Sequence, residues 1–429
     1  MRLAIVMVGL PARGKTYIAR RVARYLGWLG YATRVFNVGN YRRERVGAQQ
    51  AHSFFDPANP EGREQRREVA LAALEDLVSW LTKPLDQGGG DVAIYDATNS
   101  SRERRALVSE RCKAAGLPVL FVESLCEDEV VIESNIRQTK LHMPDYAGFD
   151  PEAAVADFRA RIAHYARAYE TVGEDEGSFV KLIDVGRRVE VNRLQGYLPS
   201  RLVYFLMNLH PIPRPIYLVR HGESLYNVDD RIGGDPGLSP SGERFAQMLG
   251  EWSQRELGSR DFVVWHSTLK RTIATAAQVV DACEGARAPV EWRALDEINA
   301  GDCDGMTYQE IHRKMPHEWA ARAHDKFDYR YPRGESYRDV IRRLEPVIVE
   351  LERERAPVMI VAHQAVLRSL YAYLMDKPPR DCPHLAMPLH TVVKLTPSTY
   401  ACTEERFDLG PSAHLTDSLR PGSMPPPER

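Results

Sequence analysis

Ile216-Tyr217-Leu218-Val219-Arg220-His221-Gly222-Glu223-Ser224 stands near the middle of the chain. Four apolar residues run straight into Arg, His, Gly and Glu. The reading is a short buried strand that delivers polar chemistry at its carboxyl end, where open α/β sheets bind ligands. The stretch also opens a second domain, because another active-site pattern, Gly9 to Thr16, lies far upstream. Two α/β domains are expected, each a mainly parallel sheet with helices on both faces. Their expected bounds are 1–210 and 216–407, with a Pro-rich linker at 211–215 and a disordered tail over 408–429.

Bulk properties agree with two domains. The chain has 429 residues, too many for one ordinary core. Hydrophobic residues make up 44% and charged residues 27%, as in ordinary globular proteins. A formal net charge of -2 gives no sign of a nucleic-acid binder. Cys112, Cys126, Cys283, Cys303, Cys382 and Cys402 are scattered, with no CxxC pair, so free thiols are expected rather than a zinc site. The longest notable apolar run, Leu202 to Leu209, is too short for a membrane span. No signal-peptide pattern opens the chain, and a cytoplasmic enzyme is expected.

Leu3 to Val8 is a continuous apolar run, as in a strand covered on both faces. Gly9-Leu10-Pro11-Ala12-Arg13-Gly14-Lys15-Thr16 follows and matches Gly-x4-Gly-Lys-Thr, the phosphate-binding loop. Its glycines let backbone N–H groups face a polyphosphate, and the helix N-terminus adds positive potential. Lys15 reaches the β- and γ-phosphates, and the Thr16 hydroxyl can ligate Mg2+. Ile18, Val22, Leu26 and Leu29 then fall on one helical face. A plain helix-capping turn is the bland alternative.

Val92 to Tyr95 reads as another strand, ending in Asp96-Ala97-Thr98-Asn99. An Asp there suits a Mg2+ ligand or a base for an attacking hydroxyl; helix capping is the structural alternative. Arginines recur at 42, 43, 63, 66, 67, 102, 104 and 105. Alone, they read as a solvated face. A Lys or Arg in Asn135 to Lys140 can close over phosphates as a lid.

In their order, Gly-Leu-Pro-Ala-Arg-Gly-Lys-Thr, Val-Phe-Asn-Val-Gly-x-Tyr-Arg-Arg, Asp-Ala-Thr-Asn and Asn-Ile-Arg-Gln-x-Lys resemble the kinase half of the bifunctional 6-phosphofructo-2-kinase/fructose-2,6-bisphosphatase family. The resemblance covers residues 1 to about 405. It implies that Arg42, Arg66, Thr98, Arg104, Arg193 and Tyr197 hold fructose 6-phosphate. It places Lys140 on both substrates, Asn135 on the nucleotide, and Asp96 and Cys126 in the active site. Cys126 reads equally well as a buried thiol at a strand end.

Arg220-His221-Gly222-Glu223 resembles the histidine phosphatase superfamily, which includes phosphoglycerate mutases. His221 would attack phosphorus as a neutral imidazole. Arg220 offers a planar fork to the phosphoryl oxygens, and Asn227 adds a donor. Gly233 and Gly234 let backbone approach the substrate. Arg271, after a strand ending at Trp265, matches a second clamp arginine. Glu297 matches the general acid that protonates a leaving sugar oxygen. His363, after the strand Val358 to Val361, matches the second histidine. The cationic insert from Arg322 to Tyr337 resembles a loop that grips a sugar 6-phosphate. Arg322, Lys326 and Tyr337 match there, as do Tyr308, Gln364 and Arg368 elsewhere.

The resemblance thus implies a kinase that uses MgATP and a phosphatase that needs no cofactor. The expected partners are small molecules: ATP, fructose 6-phosphate and fructose 2,6-bisphosphate. No nucleic acid or membrane is expected, and a homodimer is left open. A kinase fused to a mutase or broad phosphatase is the enzyme rival. A non-catalytic nucleotide and sugar-phosphate sensor is the rival of another class. Beyond Thr396 the pattern fades. The tail has no obvious basic phosphorylation motif, and control by phosphorylation is left open.

Overall fold

The computed structural model describes residues 2–141, 143–210, 213–398 and 401–410, without the side chains of 139 and 140. The expected tail from 411 on lies outside the described residues, as do linker positions 211 and 212. The chain divides into two compact units, Met1–Pro211 and Ile212–Arg429.

The first unit carries β1 (Leu3–Val8), β2 (Thr33–Asn37), β3 (Val92–Asp96), β4 (Val119–Leu125), β5 (Phe179–Ile183) and β6 (Arg188–Asn192). Their order is β2-β3-β1-β4-β5-β6. All neighbours are parallel except β5 and β6, which pair antiparallel. β1 is buried along its whole length, as its unbroken apolar run requires. Ala4, Val6 and Val8 meet Leu74, Leu77 and Leu81 of the helix Pro60–Thr82 in one core. The chain turns from β1 to opposite sides of the sheet, so the end of β1 is a switch point, where ligands bind.

The second unit carries β7 (Ile216–Arg220), β8 (Val263–His266), β9 (Val290–Glu291), β10 (Val358–Ala362), β11 (Thr391–Pro397) and β12 (Cys402–Asp408). Their order is β12-β11-β7-β10-β8-β9. β7, β10, β8 and β9 run parallel, and β11 and β12 form an antiparallel flap on β7. Tyr217, Val219, Met359 and Val361 pack on Phe245 and Leu249 of the helix Pro240–Glu256.

Three expectations are corrected. The faded pattern beyond Thr396 hides a strand, because β12 pairs with β11 from Thr391↔Asp408 to Pro397↔Cys402 and takes in Asp408, the first residue of the expected tail. Its edge residues are mostly charged, as a solvent-facing edge strand tolerates, and this masks the strand period. The helix expected over Ser200 to Leu209 begins at Tyr197, where Pro199 is accommodated in the first turn. The cationic insert is not a loop throughout: Arg322 lies on the helix Pro316–His324, and Tyr337 begins the helix Tyr337–Arg353.

Six cysteines are free, and none but Cys402 reaches beyond the buried class. Among the described residues no helix is long and apolar enough to cross a membrane.

A buried ion pair ties the first unit together. Arg105 is fully buried. Its Nε donates to Glu176 at 2.7 Å, and its other nitrogens donate to the carbonyls of Asn99, Glu170 and Thr171. Arg105→Ala would strand a carboxylate and three carbonyls. The expected cost is about 3–5 kcal/mol, read as a lower first transition in thermal unfolding of the full chain. An unchanged transition would show that the pair carries no such weight.

Candidate active sites

The first site sits where β1 ends. Gly9 has φ +138, and a Cβ there would lie 2.5 Å from the Ser124 carbonyl oxygen. Gly14 caps the helix Lys15–Trp28 in the left-handed region, φ 75. Only glycine meets both demands without strain. The Ser124 hydroxyl holds the Arg13 carbonyl at 2.5 Å, and Asn135 Nδ2 holds the Ala12 carbonyl at 3.0 Å. Asn135 therefore supports the loop backbone. Lys15 is buried and its Nζ donates to the Leu10 carbonyl at 2.6 Å. The Gly9 N–H donates to the Thr98 carbonyl at 3.0 Å, which joins the loop to the segment after β3.

Asp96 closes β3 and is 3% exposed. Its Oδ2 accepts from Asn37 Nδ2 at 2.5 Å. The available donors, the Thr16 hydroxyl and the Asp96 carboxylate, are hard oxygens of the kind Mg2+ takes. Among the described residues no cluster of three or more His, Cys, Asp or Glu forms a metal cage.

Arg42 is buried and ion-paired to Asp145, which also pairs with Arg43 at 2.9 Å and Arg161 at 3.6 Å. Burial works against the Asp145 charge, but Arg42, Arg161 and Arg43 outweigh it and hold the carboxyl below its usual range. Arg66 donates to the Phe54 carbonyl and lies over the Phe54 ring. Asp145 was missed by sequence reasoning, since a lone acid after a proline carries no signal. Arg104 lies half-buried in the first turn of the helix Arg102–Ala114. Arg193 and Tyr197 are exposed, and no described hydrogen bond or ion pair joins them to Arg42 or Arg66. The Lys140 side chain lies outside the described residues. Burial pushes the Cys126 thiol above its ordinary value, so it is protonated at neutral pH.

The second site is built by three neighbouring parallel strands. β7 ends in Arg220-His221, β10 in His363 and β8 in His266-Ser267. The His221 N–H donates to the Ala362 carbonyl at 3.1 Å. The His221 and His363 rings lie 5.0 Å apart between centroids. His221 Nδ1 lies 2.7 Å from its acceptor, the Gly222 carbonyl, so it carries the hydrogen. Nε2 is then the lone-pair nitrogen, and it accepts from Arg271 Nε at 3.2 Å. Arg271 also donates to the Gly234 carbonyl at 2.8 Å. Gly233 has φ +73, and a Cβ there would lie 1.6 Å from Asp304 Oδ1. The Gly234 N–H donates to the same oxygen at 2.9 Å.

Glu297 Oε1 accepts from the Ile298 and Ala365 N–H groups at 2.9 and 3.2 Å. Arg343, also missed, donates to the carbonyls of Asp296 and Glu297 at 2.7 and 3.2 Å and holds this segment. On an amphipathic helix it reads as a solvated charge. Asn227 Oδ1 is committed to a capping box with Ser224.

Arg322, Lys326, Tyr308, Tyr337 and Arg368 form a cluster linked by hydrogen bonds and charge contacts. Arg322 donates to the Tyr331 and Tyr308 hydroxyls at 2.9 and 3.1 Å. Arg368 Nη1 donates to the Tyr337 hydroxyl at 3.4 Å. Lys326 Nζ donates to the Pro383 carbonyl at 3.4 Å. Burial, then Arg322 and Arg368, pull the Lys326 ammonium down to about 7. Gln364 begins the helix Gln364–Leu374 beside His363.

A 6-phosphofructo-2-kinase model matches residues 1–213, and a histidine phosphatase superfamily (branch 1) model matches residues 216–409. A 6-phosphofructo-2-kinase/fructose-2,6-bisphosphatase of Gallus gallus is 50% identical over 432 residues, which cover 99% of this chain and 89% of that one. The chain belongs to this bifunctional family. An Arabidopsis thaliana relative of that name is 50% identical across 95% of this chain, which spans 54% of the relative's own length. The Homo sapiens 6-phosphofructo-2-kinase/fructose-2,6-bisphosphatase 4 is 48% identical, covering 99% of this chain and 89% of that one.

Within a family member the state of the histidine pair matters. Burial first, then Arg271 and Arg220, hold His221 well below the ordinary imidazole value. Burial first, then Arg271 and His221, do the same for His363. A lowered imidazole value means the neutral form persists as pH falls. Neither ring should therefore titrate between pH 8 and 6 in the ligand-free chain. Histidine 15N spectra of the full chain check this, and a ring that protonates near 6.5 contradicts the buried-pair electrostatics.

Proposed function

We propose that the chain both attaches and removes the 2-phosphate of fructose 2,6-bisphosphate. The observation that carries the reading is the uncompensated cationic pocket beside the histidine pair. Among the described residues, Arg322, Lys326 and Arg368 make no ion pair with a carboxylate. Arg368 is buried and Arg322 and Lys326 are half-buried, and their hydrogen bonds go only to hydroxyls and carbonyls, so the three cations suit an anionic group of the substrate. A phosphatase acting on a simple monoester needs no such second pocket. A sugar carrying two phosphates does.

In the first unit the phosphate loop receives the polyphosphate of ATP. Lys15 offsets charge developing on the β- and γ-oxygens. Thr16 and Asp96 would hold Mg2+, which when bound supplies further charge neutralisation on those oxygens. Arg42, Arg66, Thr98 and Arg104 are assigned to fructose 6-phosphate, with Asp145 orienting the arginines. Arg193, Tyr197 and Lys140 complete this set. Cys126 is assigned to the same active site, as a protonated thiol.

In the second unit His221 Nε2 attacks phosphorus, and the bond from phosphorus to the C2 oxygen breaks. Glu297 gives the departing oxygen a proton. Arg220 and Arg271 grip the phosphoryl oxygens. Water then attacks the phosphohistidine while the Glu297 carboxylate takes its proton. His363 faces the transferring group. Arg322, Lys326, Tyr308, Tyr337, Gln364 and Arg368 hold the 6-phosphate.

One site per unit implies separable losses. Lys15→Met should abolish fructose 6-phosphate phosphorylation and leave hydrolysis within about 2-fold of wild type. His221→Ala should do the reverse and should prevent acid-labile 32P labelling by 2-labelled substrate. If either change removed both activities from folded protein, the division would fail.

The pocket gives a pH test. Arg322→Ala removes a charge-assisted hydrogen bond worth roughly 10- to 150-fold in affinity. The KM for fructose 2,6-bisphosphate should rise by that factor, with little effect on p-nitrophenyl phosphate. Lys326 adds a sign. A bound phosphate raises its pKa from about 7, so binding above pH 7 must take up a proton. Apparent affinity should therefore fall as pH rises through 7, and Lys326→Met should flatten that limb. Equal losses on both substrates would remove the second-phosphate assignment.

A further inference from the structure

Ser267 is fully buried at the end of β8, and nothing in the proposed reaction uses it. Its Oγ lies 2.8 Å from His363 Nε2 and 2.7 Å from Thr272 Oγ1. Thr272 Oγ1 lies 2.8 Å from the Leu269 carbonyl oxygen. Each of these three contacts needs one hydrogen, and the far end fixes their direction. A carbonyl can only accept, so the Thr272 hydroxyl donates to Leu269. The Ser267 hydroxyl then donates to Thr272. Ser267 Oγ is left to accept, from the Leu269 N–H at 3.2 Å and from His363. The hydrogen on neutral His363 therefore sits on Nε2.

The other nitrogen is then a bare lone pair. His363 is fully buried, and its Nδ1 has no hydrogen-bond partner. An unpartnered buried polar atom is costly and points to a ligand. A phosphoryl group, however, offers acceptors and would repel a lone pair. The groups around the ring explain why no proton sits there already. Arg220 and His221 face it from β7, Arg271 from the helix Lys270–Ala282 and Arg343 from the helix Tyr337–Arg353. The acid Glu297 lies on the loop that accepts from the Ala365 N–H, two residues past His363. Three guanidiniums disfavour an imidazolium until an anion arrives.

We propose that Ser267 and Thr272 are positioning residues that hold His363 as its Nε2–H form, so that the phosphoryl group and one proton enter the site together. The proton comes from solvent or from a monoanionic ester and settles on Nδ1, which then donates to a phosphoryl oxygen. It leaves again with inorganic phosphate. The proposal rests on the phosphatase reading of the second unit.

The test uses the full chain with 15N-labelled histidine, with His363 assigned by its loss in His363→Asn. In the free chain at pH 8, His363 should show a hydrogen on Nε2 and none on Nδ1. Saturating inorganic phosphate should place hydrogens on both nitrogens. Thr272→Val removes the acceptor for the Ser267 hydrogen, which then turns to His363 Nε2. The ring should switch to the Nδ1–H form and bind phosphate without gaining a proton. Ser267→Ala should lower kcat by roughly 10- to 150-fold, and Ser267→Thr should recover most of it. An Nδ1–H ring in the free wild type, an unchanged ring in Thr272→Val, or full activity in Ser267→Ala would overturn the proposal. The hydrogen positions are read without turnover. A chain that showed them but failed to hydrolyse fructose 2,6-bisphosphate would sink the phosphatase reading and leave the relay standing.

Discussion

The His221 N–H bonded to the Ala362 carbonyl is the contact on which the second unit depends. It extends the β7 and β10 ladder one step past Ala362↔Arg220. Because the strands are parallel, their carboxyl ends arrive together, and the residues just beyond them face one space. Two histidines, two arginines and Ser267 converge there although about 140 residues of chain separate the histidines. A one-residue slip of β10 would turn every side chain to the other face and move His363 away from His221. Apolar residues on both faces of β7 and β10 make that slip costly. The core thus sets the distance between the two histidines.

The same logic governs the first unit with a different terminal device. There the strand end becomes a glycine-lined loop, which would meet an anion with backbone N–H groups rather than with imidazole. The close approach of Gly9 to the Ser124 carbonyl ties the loop to β4, and its N–H ties it to the segment after β3. The loop is thus held from both neighbouring strands. A preorganised loop loses little entropy when phosphate binds, which is where such sites gain their affinity.

Much of this was legible in residue order. Gly9 to Thr16 and Arg220 to Glu223 each combine a buried strand with residues that only phosphate chemistry needs side by side. Arg322 and Lys326 were legible because so many cations in one insert have no packing reason. What escaped has one cause in common. Asp145, Arg343, Asp304 and Ser267 act through partners far away in sequence: Asp145 on Arg42, Arg343 on the Glu297 segment, Ser267 on His363. Nothing local distinguishes them from a turn acid, a surface arginine or a strand-end serine. β12 escaped for another reason, since charged residues at an edge erase the alternation by which strands are recognised.

The burial of the histidine pair sets opposing demands on one cavity. Burial, then Arg271 and Arg220, keep His221 neutral, as the proposed nucleophile has to be. A phosphoryl group needs donors, and in the proposed reaction the same guanidiniums would supply them. The arginines therefore perform two tasks that differ only in whether an anion is present. Without one they suppress protonation of both rings. With one they are neutralised and their effect on the rings weakens. An anion that enters would offset the positive field that keeps the imidazoles bare. A neutral substrate of the same shape would relieve nothing, and so the cavity selects for charge before it selects for shape.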